Sequence, residues 1–76
     1  MFRNLLKSIR AQIIAAIVAT GANNANATTF VGSIGDGQLL QMLLQWFAAN
    51  GPELESFIQF IVSLFAASQA TQAPSA

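Results

Sequence analysis

Apolar residues along this chain fall into three runs with helical spacing, separated by a stretch of small polar residues and a tight break. In the first run Phe2, Leu5, Leu6, Ile9, Ile13, Ala16 and Ile17 recur at intervals of one to four, which gathers them on one face of a helix. Arg3, Lys7 and Arg10 fall beside that face. The pattern predicts a basic amphipathic helix over residues 1–20, running from about Phe2 to Thr20 and closed by Gly21.

Residues 21–36 are rich in Gly, Asn, Ala and Thr, a composition that favours turns and supplies few side chains able to pack. A long connector is expected there. Thr28, Thr29, Phe30 and Val31 could form a short extended piece, limited by Gly32 and Gly35. Loops of this length are uncommon in compact domains and usually act as functional segments or linkers.

Asp36 is placed to cap a second helix from about Gly37 to Ala49. Asn50 and Gly51 then end it, and Pro52 suits the first turn of a third helix, with Glu53 and Glu55 near its positive dipole end. The third helix runs on to about Ala70. The expected fold is therefore all-α, with a helical hairpin over residues 37–70 broken at 50–52 and an extended tail over 71–76 that contains Pro74.

Both hairpin helices are apolar nearly all round. Leu40, Leu43, Leu44, Trp46 and Phe47 in the second, with Phe57, Phe60, Ile61, Leu64 and Phe65 in the third, are the expected helix–helix packing residues. Gln38, Gln41 and Gln45 make a narrow polar stripe on one helix, as do Ser56, Gln59 and Ser63 on the other. A helix with so narrow a polar stripe is buried in protein or in lipid. The stripes suit either a hydrogen-bonded contact between membrane helices or the water-facing edge of helices packed among protein neighbours. Leu54 to Ala70 comes nearest to a membrane span, at about 26 Å, where the hydrocarbon layer needs about 30 Å. The aromatic cluster flanking the hairpin turn reads either as core or, through Trp46, as an interfacial anchor.

Composition sharpens this picture. Only 8% of the 76 residues are charged and 54% are hydrophobic, against about 25% charged in a typical domain. A water-facing surface of this size calls for more charge. The three basic residues all lie within the first ten positions, and the three acids, Asp36, Glu53 and Glu55, all lie beyond residue 35. One short basic segment is too little for nucleic acid to be the main partner. A chain this short buries only about 60% of its unfolded surface on its own. With neither cysteine nor histidine in the sequence, disulfides and histidine–thiolate metal sites are closed off, and association is the remaining source of stability.

Chemistry finds little to work with. Acid–base or nucleophilic catalysis needs titratable groups held together, and here three carboxylates stand without His, Cys or Tyr. Glu53 and Glu55 are two apart and point to different helix faces. The run Gly32-Ser33-Ile34-Gly35-Asp36-Gly37 lacks the lysine and spacing of a phosphate-cradling loop. No catalytic residue, cofactor, metal or small-molecule substrate is expected.

The N-terminal segment has a second reading. Basic residues up to Arg10, an apolar stretch from Ala11 to Ala19 and the small-x-small triplet Ala25-Asn26-Ala27 match the layout of a secretory signal peptide cleaved after Ala27. Three functions are thus expected from the residues. The leading one is a non-enzymatic structural subunit buried in a multi-copy virion-like or membrane-associated particle, touching other copies, other subunits and possibly lipid through Arg3, Lys7 and Arg10. The others are a membrane-active lysis or pore-forming peptide and a small secreted helical protein whose signal peptide spans residues 1–27.

Overall fold

The computed structural model describes residues 2–72, with the side chains of Phe2 and of residues 70–72 left aside. Among the described residues the fold is all-helical: α1 (Phe2–Ala19), α2 (Asn24–Gly32), α3 (Asp36–Asn50) and α4 (Leu54–Gln72), with no strand.

The first helix is the hub. Leu6, Ile9, Ile13 and Ile17 step along it at intervals of three and four and are all essentially removed from solvent. That stripe meets α2, α3 and α4, and the most extensive helix–helix contact is between α1 and α4. Fully burying one such side chain stabilises the fold by about 1.5–3 kcal/mol. From α4 the stripe receives Phe57, Ile58, Ile61, Val62 and Phe65, and from α3 Leu39 and Leu43. The aliphatic faces expected to seek partners are in good part used inside the chain.

The stretch expected to be a connector contains a helix. Asn23 caps it: its Oδ1 accepts hydrogen bonds from the backbone N–H groups of Ala25 at 2.7 Å and Asn26 at 3.3 Å, satisfying donors that a helix start leaves open. Ala27 and Val31, four apart, then lie buried on α1. Thr28 to Val31 are accordingly helical and not extended. Asn and Thr are weak helix formers in isolation, and packing of one small apolar edge overrides that preference.

Helix ends follow local chemistry. Gly21, at φ 102°, turns the chain after α1, with Thr20 N–H and Oγ1 both donating to Ile17 O. The cap of α3 is Gly35, while Asp36 sits in the first helical turn and makes no cap bond. Gly51, at φ 89° and ψ 163°, closes α3 with its N–H on Phe47 O at 2.8 Å. Pro52 precedes α4 rather than entering its first turn: Glu53 accepts the first helical bond, from Phe57 N–H. Thr71 and Gln72 belong to α4, and the rest of the expected tail, residues 73–76, lies outside the described residues, as does Met1.

Candidate interaction surface

Three side-chain groups define what the outside of the fold offers. The first is the N-terminal end of α1. Arg3 and Lys7 are exposed there, and Leu5, between them, is 48% exposed. Arg10, the third member of the expected basic edge, is turned inward. Its guanidinium donates to Val31 O and Ile34 O, each at 2.6 Å, and to Asp36 Oδ1 at 2.8 Å. It thus closes the C-terminal end of α2, where carbonyls lack helical partners and a cation is favoured.

The second group surrounds Trp46 where α3 meets α4. The indole stacks on Phe60 with ring centroids 4.5 Å apart and planes at 18°, and Phe60 in turn lies 6.3 Å from Phe57. Trp46 Nε1–H donates to Ser56 Oγ at 3.1 Å, so the polar end of a half-buried indole is satisfied. Beside this stack lies a shallow apolar dish of about 190 Å³, lined by Met42, Gln45, Trp46, Ala49, Asn50 and Phe60. Glu53 precedes Ser56 by three residues and Phe60 by seven, the spacing of one helical face, and Glu55 is adjacent to Ser56. Both glutamates are exposed.

The third is a polar depression between α2 and the far part of α4, lined by Asn26, Thr29, Phe30, Ser33, Ser68 and Gln69. Phe30 and Phe65 close its floor in an edge-on pair, centroids 5.3 Å apart and planes at 79°.

The predicted polar stripes lie on the outside: Gln38, Gln41, Gln45, Gln59 and Ser63 are exposed and Ser56 half-buried. Of the predicted packing residues, Leu43, Phe57, Ile61 and Phe65 are buried. Leu40, Trp46, Phe47, Phe60 and Leu64 pack partly buried against them. Leu44 stands 58% exposed on α3. Sequence reasoning missed Ala27, Val31 and Ile34 as core; the signal was present as the four-residue step from Ala27 to Val31 behind an Asn23 cap.

Arg10–Asp36 is the one ion pair among the described residues. Arg3, Lys7, Glu53 and Glu55 carry the remaining charge, and none has a charged or hydrogen-bonded side-chain partner among those residues. No buried side-chain nitrogen or oxygen among them lacks a hydrogen bond. No three His, Cys, Asp or Glu side chains come together among the described residues, and no helix there is long and apolar enough to cross a membrane. No family, curated protein or solved structure matches the chain.

Proposed function

We propose that this chain is a small non-enzymatic structural subunit of a multi-copy assembly, a virion-like or membrane-associated particle, whose partners are further copies of itself or other subunits. The observation that carries this reading is the make-up of its outer surface. The outward faces of the helices present Gln, Ser, Thr, Asn and Ala, and beyond the internal Arg10–Asp36 pair only four ionised side chains remain. A free domain of this size keeps itself apart from its neighbours with a surface about 25–35% charged. A surface of small, uncharged side chains offers close approach and hydrogen bonding with little repulsion, which suits repeated packing of one copy on another.

The place of α1 in the core supports a chain that keeps its first 27 residues, since Leu6, Ile9, Ile13, Ile17 and Ala27 are all buried. The membrane-active alternative requires α4 to release Phe57, Ile61 and Phe65 from α1 before they could enter lipid. Isolating the protein from its source without detergent tests the reading by sedimentation. Recovery with a large particle is the expected result. A stable monomer overturns it, and dye release from anionic liposomes at low concentration would favour the membrane-active alternative instead.

A further inference from the structure

We infer that copies of this chain join head to tail, the N-terminal turn of α1 in one copy seating on the Trp46 dish of the next. This inference rests on the reading of the chain as a multi-copy subunit and names the contact.

The two ends match in charge and in shape. One carries Arg3 and Lys7 around Leu5, a large aliphatic side chain 48% exposed. The other carries an apolar dish of about 190 Å³ floored by Trp46, Phe60 and Met42, with Glu53 and Glu55 exposed within one turn of Ser56, the hydrogen-bond partner of Trp46. An apolar cavity of roughly 150 Å³ is enough to take up benzene, so the dish has room for a leucine side chain. Once Arg10 and Asp36 are paired within the chain, the charges left over are two cations at one site and two anions at the other, all exposed. Seating Leu5 in the dish brings the two cations to the two anions without stranding either sign. The two surfaces differ, so the contact is heterologous: each copy has one of each, and repetition gives a ring or a filament according to whether the rotation closes.

Charge reversal provides the test, read by sedimentation velocity and by the emission of Trp46, the single tryptophan. The wild-type chain is expected to form species larger than a monomer, with Trp46 emission shifting to the blue as the dish is covered. Raising salt from about 0.01 M to about 1 M, over which the Debye length falls from about 30 Å to about 3 Å, should dissociate it. The variant R3E/K7E carries acids at both surfaces, and E53K/E55K carries bases at both. Each alone should self-associate about tenfold more weakly or worse, whereas an equimolar mixture should assemble again, because every contact between unlike variants is complementary. Restoration on mixing cannot come from chains that merely failed to fold. Leu5→Asp, at an exposed position, should abolish assembly with helicity unchanged in circular dichroism. A wild-type chain that assembles, together with reversed variants that assemble equally well or a mixture that stays apart, overturns the inference and leaves the subunit reading standing. A wild-type chain that stays monomeric at every salt concentration overturns both.

Discussion

The guanidinium of Arg10 and the carboxylate of Asp36, 26 residues apart in sequence, meet at 2.8 Å. The same Arg10 nitrogen reaches Ile34 O at 2.6 Å, and its neighbour reaches Val31 O at 2.6 Å. One side chain from the middle of α1 therefore gathers the end of α2 and the beginning of α3. Its planar fork suits this: it offers several donors in fixed directions, so carbonyls and a carboxylate are bound together at little further entropic cost. Nearest to a membrane-facing basic edge are Arg3 and Lys7, while Arg10 is an internal clamp.

The clamp predicts unequal costs at its two ends. Arg10 is 20% exposed and Asp36 61%, so the carboxylate is largely screened while the backbone carbonyls depend on the cation. Hydrogen bonds to a charged group contribute about 1.5–3 kcal/mol, and an exposed ion pair about 0–1 kcal/mol. Arg10→Met should lower unfolding free energy by about 2–3 kcal/mol and Asp36→Asn by less than about 1 kcal/mol, in urea titrations followed by far-ultraviolet circular dichroism. Equal losses from the two variants would show that the ion pair, and not the carbonyl clamp, carries the contact.

Trp46 joins α3 to α4 through a stack and a hydrogen bond, and these can be separated. Ser56→Ala removes the acceptor of Nε1 and should cost about 0.5–1.5 kcal/mol. Phe60→Leu keeps an apolar body but loses the parallel ring at 4.5 Å, a preference of about 0.5–1.5 kcal/mol beyond burial. Near-ultraviolet circular dichroism should lose the tryptophan band in Phe60→Leu and largely keep it in Ser56→Ala. Retention of the full band in both would mean that the indole is not held by this stack.

Much of the fold could be read from spacing, and the reasons for the rest are specific. The stripe Leu6, Ile9, Ile13, Ile17 marks α1 because every step follows the helical period, and Gly21 and Gly51 mark its end and that of α3. The helix at Asn24–Gly32 was obscured by composition: Asn, Thr and Gly argue against a helix one residue at a time, while burial of Ala27 and Val31 decides for one. The inward turn of Arg10 was hidden for a different reason. A basic residue beside an apolar stripe borders solvent in an isolated helix, and only the arrival of α2 and α3 supplies the carbonyls that draw it in. Trp46 stood out by residue type, but its stack on Phe60 and the dish beside it depend on how α3 meets α4, which spacing does not encode.

Two glycines should respond to alanine with opposite signs. An added Cβ at either Gly37 or Gly51 meets no atom within 4 Å, so backbone conformation alone decides. Gly51, at φ 89° and ψ 163°, lies in a region essentially limited to glycine, and Gly51→Ala should cost about 1–3 kcal/mol. Gly37 is in the first turn of α3 without a positive φ, and Gly37→Ala should stabilise by about 0.4–1 kcal/mol through the unfolded chain. Midpoints of thermal unfolding moving in opposite directions are the expected outcome. A stabilising Gly51→Ala would mean that the α3–α4 turn takes another conformation.

The place of α1 at the centre also separates the retained from the cleaved N-terminus in a way that composition alone does not. A chain beginning at Thr28 would lack Leu6, Ile9, Ile13, Ile17 and Ala27, leaving α4 to expose Phe57, Ile61 and Phe65, which are now within 5% of full burial. Even a single truncation in this stripe, Ile13→Ala, should cost about 2–5 kcal/mol, of the order of the whole stability of a small domain; Leu44→Ala, at a residue 58% exposed, should change stability by less than about 0.5 kcal/mol. The chain from Thr28 onward should therefore show low helicity and no cooperative thermal transition, while the full chain shows both high helicity and a transition. Mass spectrometry of the native protein should find residues before Thr28 present. A native chain beginning at Thr28, helical and melting cooperatively by itself, would remove α1 from the mature fold and with it the head-to-tail contact through Leu5.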